Sequence, residues 1–494
     1  MDEKVERNFL LKFQTKRPSI YQVSSITLIL SFFLMPLVLI LISGHQLNFN
    51  FDGILLVILK NAILQSACSG FLVCFFGYYF GQKLAQYPCS RFSDILFRLV
   101  LVAPSLLPSL LVLVSALGFF QTLPNGLGAV VFCHSFIHVG FSSILWEIWV
   151  RQKAMNSMVL GQAIGLSWFD MHLKILLPQL KPYFFKSFFL WFVVFFASFE
   201  IPFFLGGLSY SGVEVYLYEQ IFWLSDWGKA ISFSILLFCF WLCIAFFLPK
   251  NSFPKLTNVG LWGWSSYSWK SFGFLLPSLF IFLGLFLGAL KSIDGVFPIQ
   301  EIKNSLGLAL SVGWSLFFIF SLILFWDPPK IVLQFIFFSV PPSSVLLVFG
   351  IFLFPGNHSL VMVIKALIAF SLIHLPYLFR VGFLQTRFML QDQKRMAVAM
   401  GLNQKDRFLW VLFPQSFSVL LILSGLGAMW TVGDFMISGF FFSETPFLGS
   451  LLQFYLSSYQ FDSAQAMAFP TILVCFLICL CFAGAYVVAD KKNL

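Results

Sequence analysis

The chain has 494 residues, 59% of them hydrophobic and only 10% charged, with a net charge of +10. A soluble domain is about 25% charged, and a chain this apolar could not cover a soluble surface with polar groups. The composition therefore excludes a water-soluble globular protein. It also shifts the meaning of the basic balance from nucleic-acid binding to membrane sidedness, because Lys and Arg collect on the cytoplasmic face.

In chain order, Lys4, Arg7, Lys12, Lys16 and Arg17 come first, followed by an apolar run at 22–43. That run is too long for the core of a cleavable signal and reads as a first membrane helix. Five further spans are expected at 62–82, 97–119, 127–149, 184–207 and 229–248. A polar, Trp-rich stretch at 249–272 follows and reads as a linker at the membrane interface. Six more spans are expected at 273–290, 304–326, 331–354, 360–382, 416–441 and 466–488. The runs are continuous rather than alternating, which excludes a β-barrel. Gly77 and Gly81, one helical turn apart, are expected to allow close helix packing. The nine cysteines form no closed metal pattern and read as small apolar residues.

With the N-terminus inside, 25 of the 30 Lys and Arg residues fall on the cytoplasmic side, and the outer loops at 44–53, 120–126, 208–227 and 442–465 hold none. Both termini are then expected to be cytoplasmic. The fold expected is all-α, with about 12 transmembrane helices in two homologous six-helix halves. These are 1–248, with a cytoplasmic loop near 151–182, and 273–494, with one near 387–418.

The two cytoplasmic loops read GQAIGLSWFDMHLKILLPQLKP at 161–182 and AVAMGLNQKDRFLWVLFPQSFS at 397–418. Gly165 pairs with Gly401, Leu166 with Leu402, Pro178 with Pro414 and Gln179 with Gln415, all at one and the same separation along the chain. A gapless match of this kind argues for duplication. In each loop the Gly can end a short helix with a positive φ. The mixed apolar and charged stretch after it suits a surface helix. The Pro stands where the next span begins and its missing N–H costs nothing. Each loop therefore reads as a rigid cytoplasmic elbow.

The pattern G-x₁₁-[LF]-P resembles the coupling loop of permeases in binding-protein-dependent ABC importers, whose fuller form is E-A-A-x₃-G-x₁₁-L-P. The first loop keeps Gly165, Ile175, Leu177, Pro178 and Pro182, with Val159, Leu160 and Gly161 in place of E-A-A. The second keeps Ala397, Gly401, Val411 and Pro414, while Arg395 and Met396 replace the Glu and first Ala, Phe413 the Leu and Ser418 the last Pro. With FVVFFASFEIPFFLGG at 192–207 and TVGDFMISGFF at 431–441, the chain is similar to the fused permeases of thiamine and ferric-iron importers.

The resemblance implies that each loop docks on one copy of a cytoplasmic ATPase, and that an extracytoplasmic substrate-binding protein delivers the substrate. It also implies a place in the cytoplasmic (inner) membrane. The chain has no G-x₄-G-K-[ST] phosphate loop, so no cofactor is expected on it and ATP belongs to the partner. It is expected to be a permease and not an enzyme. The rival reading is a twelve-span secondary transporter driven by an ion gradient.

Ionisable residues inside spans are costly and often functional. Glu200 and Asp434 each follow their loop by a similar distance and are candidates to line a cation pathway. Thiamine and ferric iron, the substrates the resemblance implies, are both cationic. His138 and His374 are separated as the paired loop residues are and join them as candidates, with His134 one helical turn from His138.

Overall fold

The computed structural model describes residues 53–86, 92–117, 125–207, 210–247, 276–291, 298–326, 343–356, 358–383, 390–442 and 444–492, with a few isolated positions besides. The expected first span at 22–43 and the linker at 249–272 lie outside the described residues. Among the described residues every regular element is helical. Six helices among the described residues are long and apolar enough to cross a bilayer, or seven if one sharply bent pair counts as a span. The chain is an all-helical membrane protein.

Several segments expected as single spans are broken, and a proline and a side-chain cap account for two of the breaks. The segment 97–119 forms Phe92–Leu106 and Ser109–Leu117, bent by 98° at a break before Ser109. Pro108 fills that break, and a proline there removes a backbone donor and clashes with the preceding turn. The segment 184–207 forms Leu177–Phe196 and the short Glu200–Leu205. The segment 416–441 forms Phe413–Val432 and Met436–Phe441. There Asp434 Oδ1 accepts the Ile437 N–H at 2.7 Å, so the acid starts the second helix by capping it. Of the segment 331–354, the described helix is Ser344–Phe352, capped by the Ser343 hydroxyl on Leu346 N–H.

The remaining expected spans are continuous helices with shifted ends. Gly53–Ala85 and Ile299–Trp326 start earlier than hydropathy alone indicates, because Lys60 and Lys303 are carried inside a helix. Leu127–Lys153, Trp227–Phe247, Leu276–Lys291, Ser359–Leu378 and Ala468–Lys492 occupy the others.

In a bilayer, lipid tails are as apolar as leucine, so close van der Waals contact rather than apolar burial holds helices together. The Gly53–Ala85 helix packs on Leu127–Lys153 in this way. A Cβ added at Gly81 would lie 2.7 Å from the Ser143 carbonyl and 2.9 Å from the Glu147 amide. The expected close approach at Gly77 and Gly81 is present. Leu111, Phe199, Phe349 and Phe435, from both halves of the chain, belong to one continuous buried core.

Candidate functional site

The two elbows are built alike, element by element. Met155–Ala163 matches Gln391–Ala399, Leu177–Phe196 matches Phe413–Val432, and Glu200–Leu205 matches Met436–Phe441, each pair equal in length and displaced by the same distance along the chain. Gly165 has φ 74° and Gly401 φ 77°. The Leu166 amide donates to the Gly161 carbonyl at 3.0 Å, and the Leu402 amide to Ala397 at 3.1 Å. This is the backbone closure that ends a helix on a left-handed residue. Just beyond, Ser167 Oγ accepts the Asp170 amide at 3.1 Å and Asn403 Oδ1 the Asp406 amide at 2.8 Å, so each elbow starts its next turn with a capped N-terminus. A π-helical turn follows in each, His172–Leu176 and Arg407–Leu412. Pro178 and Pro414 then sit in the first turn of the next helix.

Each elbow hooks onto the end of a long helix. His172 hydrogen-bonds Gln82, and Arg151 Nη2 donates to the Leu84 carbonyl at 3.2 Å, both near the C-terminus of Gly53–Ala85. Gln404 Nε2 donates to the Phe325 carbonyl at 2.9 Å and Arg387 Nη2 to Pro328 at 3.1 Å, at the end of Ile299–Trp326. Both elbows also expose apolar side chains. Ile164 is 68% exposed and its counterpart Met400 77%, and Leu160, Met396, Leu173 and Leu409 are exposed too. Leu177 is likewise half exposed, whereas Ala397 is buried beneath its elbow. In the first elbow Lys174 and then Ser167 hydrogen-bond Asp170, which holds its carboxyl below the ordinary value.

The four residues singled out inside spans meet elsewhere. Glu200, Asp434, His138 and His374 all line one cavity of about 340 Å³. Ser109 Oγ donates to Glu200 Oε2, placing the acid at the bend of the first broken pair. His374 Nε2 is 3.4 Å from Thr431 Oγ1, and His134 Nε2 is 3.1 Å from Ser198 Oγ. The cavity runs along Leu127–Lys153 from His134 to Trp149, about 22 Å at the helical rise. Its two acids are not structural counterparts. Glu200 opens its short helix where the repeat has Met436, and Asp434 stands where the repeat has Ser198. Asp434 uses one oxygen as a cap, while Glu200 is oriented by a side-chain hydroxyl.

Sequence reasoning missed the aromatic wall. Trp149, Trp191, Trp430 and Tyr377 line the same cavity, and His138 packs 5.0 Å from the Trp191 ring. Aromatics are so frequent in this chain that no pattern marks these four. It also missed two acids that the fold buries. Glu147, 4% exposed, is bonded to Arg98 and Arg151. Glu214, 1% exposed, accepts from Ser343, Ser344 and the Val345 amide at the start of Ser344–Phe352. Among the described residues no cluster of three or more His, Cys, Asp or Glu could hold a metal ion. No family model matches the chain, and no curated protein or solved structure matches it.

Proposed function

We propose that the chain is the transmembrane permease subunit of an ABC importer in a cytoplasmic (inner) membrane. In this reading it has twelve spans in two homologous halves, 1–248 and 273–494, with both termini in the cytoplasm. The observation that carries the reading is the repeated elbow. A Gly at φ 74° or 77°, a capped turn, a π-helical turn and a Pro-started span recur at one constant offset. Duplication explains why the geometry occurs twice, but a connector serving only to join two spans has little need to keep it in both copies. Two equivalent docking surfaces do.

Each elbow would seat its exposed apolar face on one copy of a cytoplasmic ATPase. Closure of the ATPases on ATP draws the elbows together. Because each elbow is hooked to the end of a long helix, its movement carries that helix with it. The halves then rock about the cavity in alternating access. The substrate is a small cation handed over by an extracytoplasmic binding protein. Between thiamine and ferric iron, the Trp residues that line the same cavity as Glu200 and Asp434 favour thiamine, because an aromatic face attracts an organic cation that carboxylates also neutralise.

Detergent affinity purification from the native host, with mass spectrometry of what accompanies the chain, tests the reading. The expected companion is an ATPase carrying a phosphate loop. If none appears under conditions that preserve a known importer complex, and uptake persists without ATP but stops with an uncoupler, the chain is a secondary transporter instead.

A further inference from the structure

Arg98, Glu147 and Arg151 form a buried cluster at the elbow end of three helices. Arg98 Nη2 donates to Glu147 Oε1 at 2.6 Å and Arg98 Nε to Oε2 at 2.9 Å, a two-pronged pairing. Arg151 Nε donates to the same Oε1 at 3.0 Å. Both guanidinium groups also reach the Leu84 carbonyl, at 3.4 and 3.2 Å. Glu147 and Arg151 belong to the helix that runs into the first elbow, and Leu84 to the helix the elbow hooks. Arg98 belongs to Phe92–Leu106. Two turns beyond it, about 10 Å along the helix, Ser105 begins the stretch through Ser109 that walls the cavity.

The second half does without this cluster. Arg387 is the repeat counterpart of Arg151 and makes the matching bond to a helix-end carbonyl. Phe383 is the counterpart of Glu147, buried and stacked on Phe320 at 4.9 Å. Ser109–Leu117 and Ser344–Phe352 also correspond, at a separation shorter by a single position, and at that separation Arg98 falls on the buried Leu333. Stability alone does not call for the charges. Replacing a buried ion triad by apolar side chains of similar volume is often neutral or stabilising, and the second half has buried apolar residues at the corresponding positions. What the charges add is direction: a two-pronged Arg–carboxylate pair fixes mutual orientation, where an apolar contact can slide.

We propose that Arg98, Glu147 and Arg151 are the positioning residues of a transmission joint, through which the first elbow moves the bent helix pair that walls the cavity. The joint makes the two halves unequal: the first passes elbow movement to the cavity through directed bonds, the second through packing. The proposal takes its purpose from the importer reading, but its test needs neither ATPase nor substrate.

The probe is Leu107→Cys, on the cavity wall, in a cysteine-depleted full-length chain in membrane vesicles. The readout is its rate of modification by a water-soluble maleimide. Gly165→Val strains the elbow at a residue around which there is open space. With the cluster intact, it is expected to change the labelling rate by about threefold or more, a modest two-state bias. In Arg98→Leu/Glu147→Phe, which installs the residues of the second half's corresponding positions and leaves Arg151 on Leu84, the change is expected to vanish. Glu147→Gln, which keeps shape and loses charge, is expected to weaken it, and Glu147→Asp to restore part of it. An undiminished response in the double variant, with its thermal midpoint retained, would overturn the joint and leave the cluster a packing feature. Should the double variant not fold, an undiminished response in Glu147→Gln overturns the proposal equally. An unchanged labelling rate with Gly165→Val in the intact chain also overturns it. Loss of the importer reading would show separately, as absence of any ATPase in the purification.

Discussion

Gly165 and Gly401 are the residues whose backbone the elbows cannot replace. They hold φ at 74° and 77°, with no neighbour within 4 Å of an added Cβ. The first atom of a side chain there meets no clash, so the cost is left-handed strain, at least about 1–2 kcal/mol for a β-branched valine, which is roughly tenfold or more in an equilibrium. Gly165→Val/Gly401→Val is therefore expected to fold, to retain its ATPase, and to lower ATP-driven uptake by about tenfold. Full uptake together with full ATPase association would contradict the elbow assignment. In the cavity, Glu200→Gln is expected to reduce thiamine uptake while leaving the thermal midpoint nearly unchanged. Asp434→Asn keeps an oxygen that can cap Ile437, so its stability cost stays under about 1 kcal/mol and its effect also falls on uptake. Equal uptake in wild type and Glu200→Gln would remove that acid from the pathway. Glu200, Asp434, His138 and His374 were legible because ionisable residues stand out in apolar runs. Glu147 was not, since an acid near a span end reads as solvated, and its partner Arg98 lies far away in sequence, on another helix.

At the scale of elements, the helices were legible and their breaks were not. Hydropathy sees an apolar run and cannot see that Pro108 bends it by 98° or that Asp434 restarts it by capping Ile437. Those breaks place Ser109, Glu200 and Asp434 on one cavity, so the site depends on the features that hydropathy overlooks. The elbows were legible because Gly and Pro are strong local signals, although the π-helical turns at His172–Leu176 and Arg407–Leu412 have no residue signature. The exposed apolar faces give a direct prediction. Leu160→Ser and Met400→Ser are expected to lower the amount of co-purifying ATPase without moving the thermal midpoint, since exposed positions rarely alter stability by more than about 0.5 kcal/mol. The Asp170 pairing gives a pH prediction. Its folded carboxyl ionises below the ordinary 3.8, so its contribution is present above that value and is lost as pH falls through the lower folded one. Between about pH 5 and 8, Asp170→Asn and wild type should therefore keep a constant difference in thermal midpoint. That difference should be small, because an exposed pair contributes little.

For the whole molecule, the reading of two fused units predicts that 1–248 and 273–494, co-expressed as separate chains, reassemble and transport. The shared core, in which Phe199 and Phe435 rings lie 5.4 Å apart, supplies the contact between them. Failure of the separate chains to associate would mean that the linker is part of the fold. The central claim is that both elbows are ATPase docking sites, and a photo-crosslinking amino acid placed singly at Ile164 or Met400 tests it most directly. These positions are repeat counterparts and both are exposed. Each position is expected to capture the same ATPase in the native membrane, with yields that change together when ATP is trapped. Capture at neither position, in membranes where that ATPase is present, would contradict it.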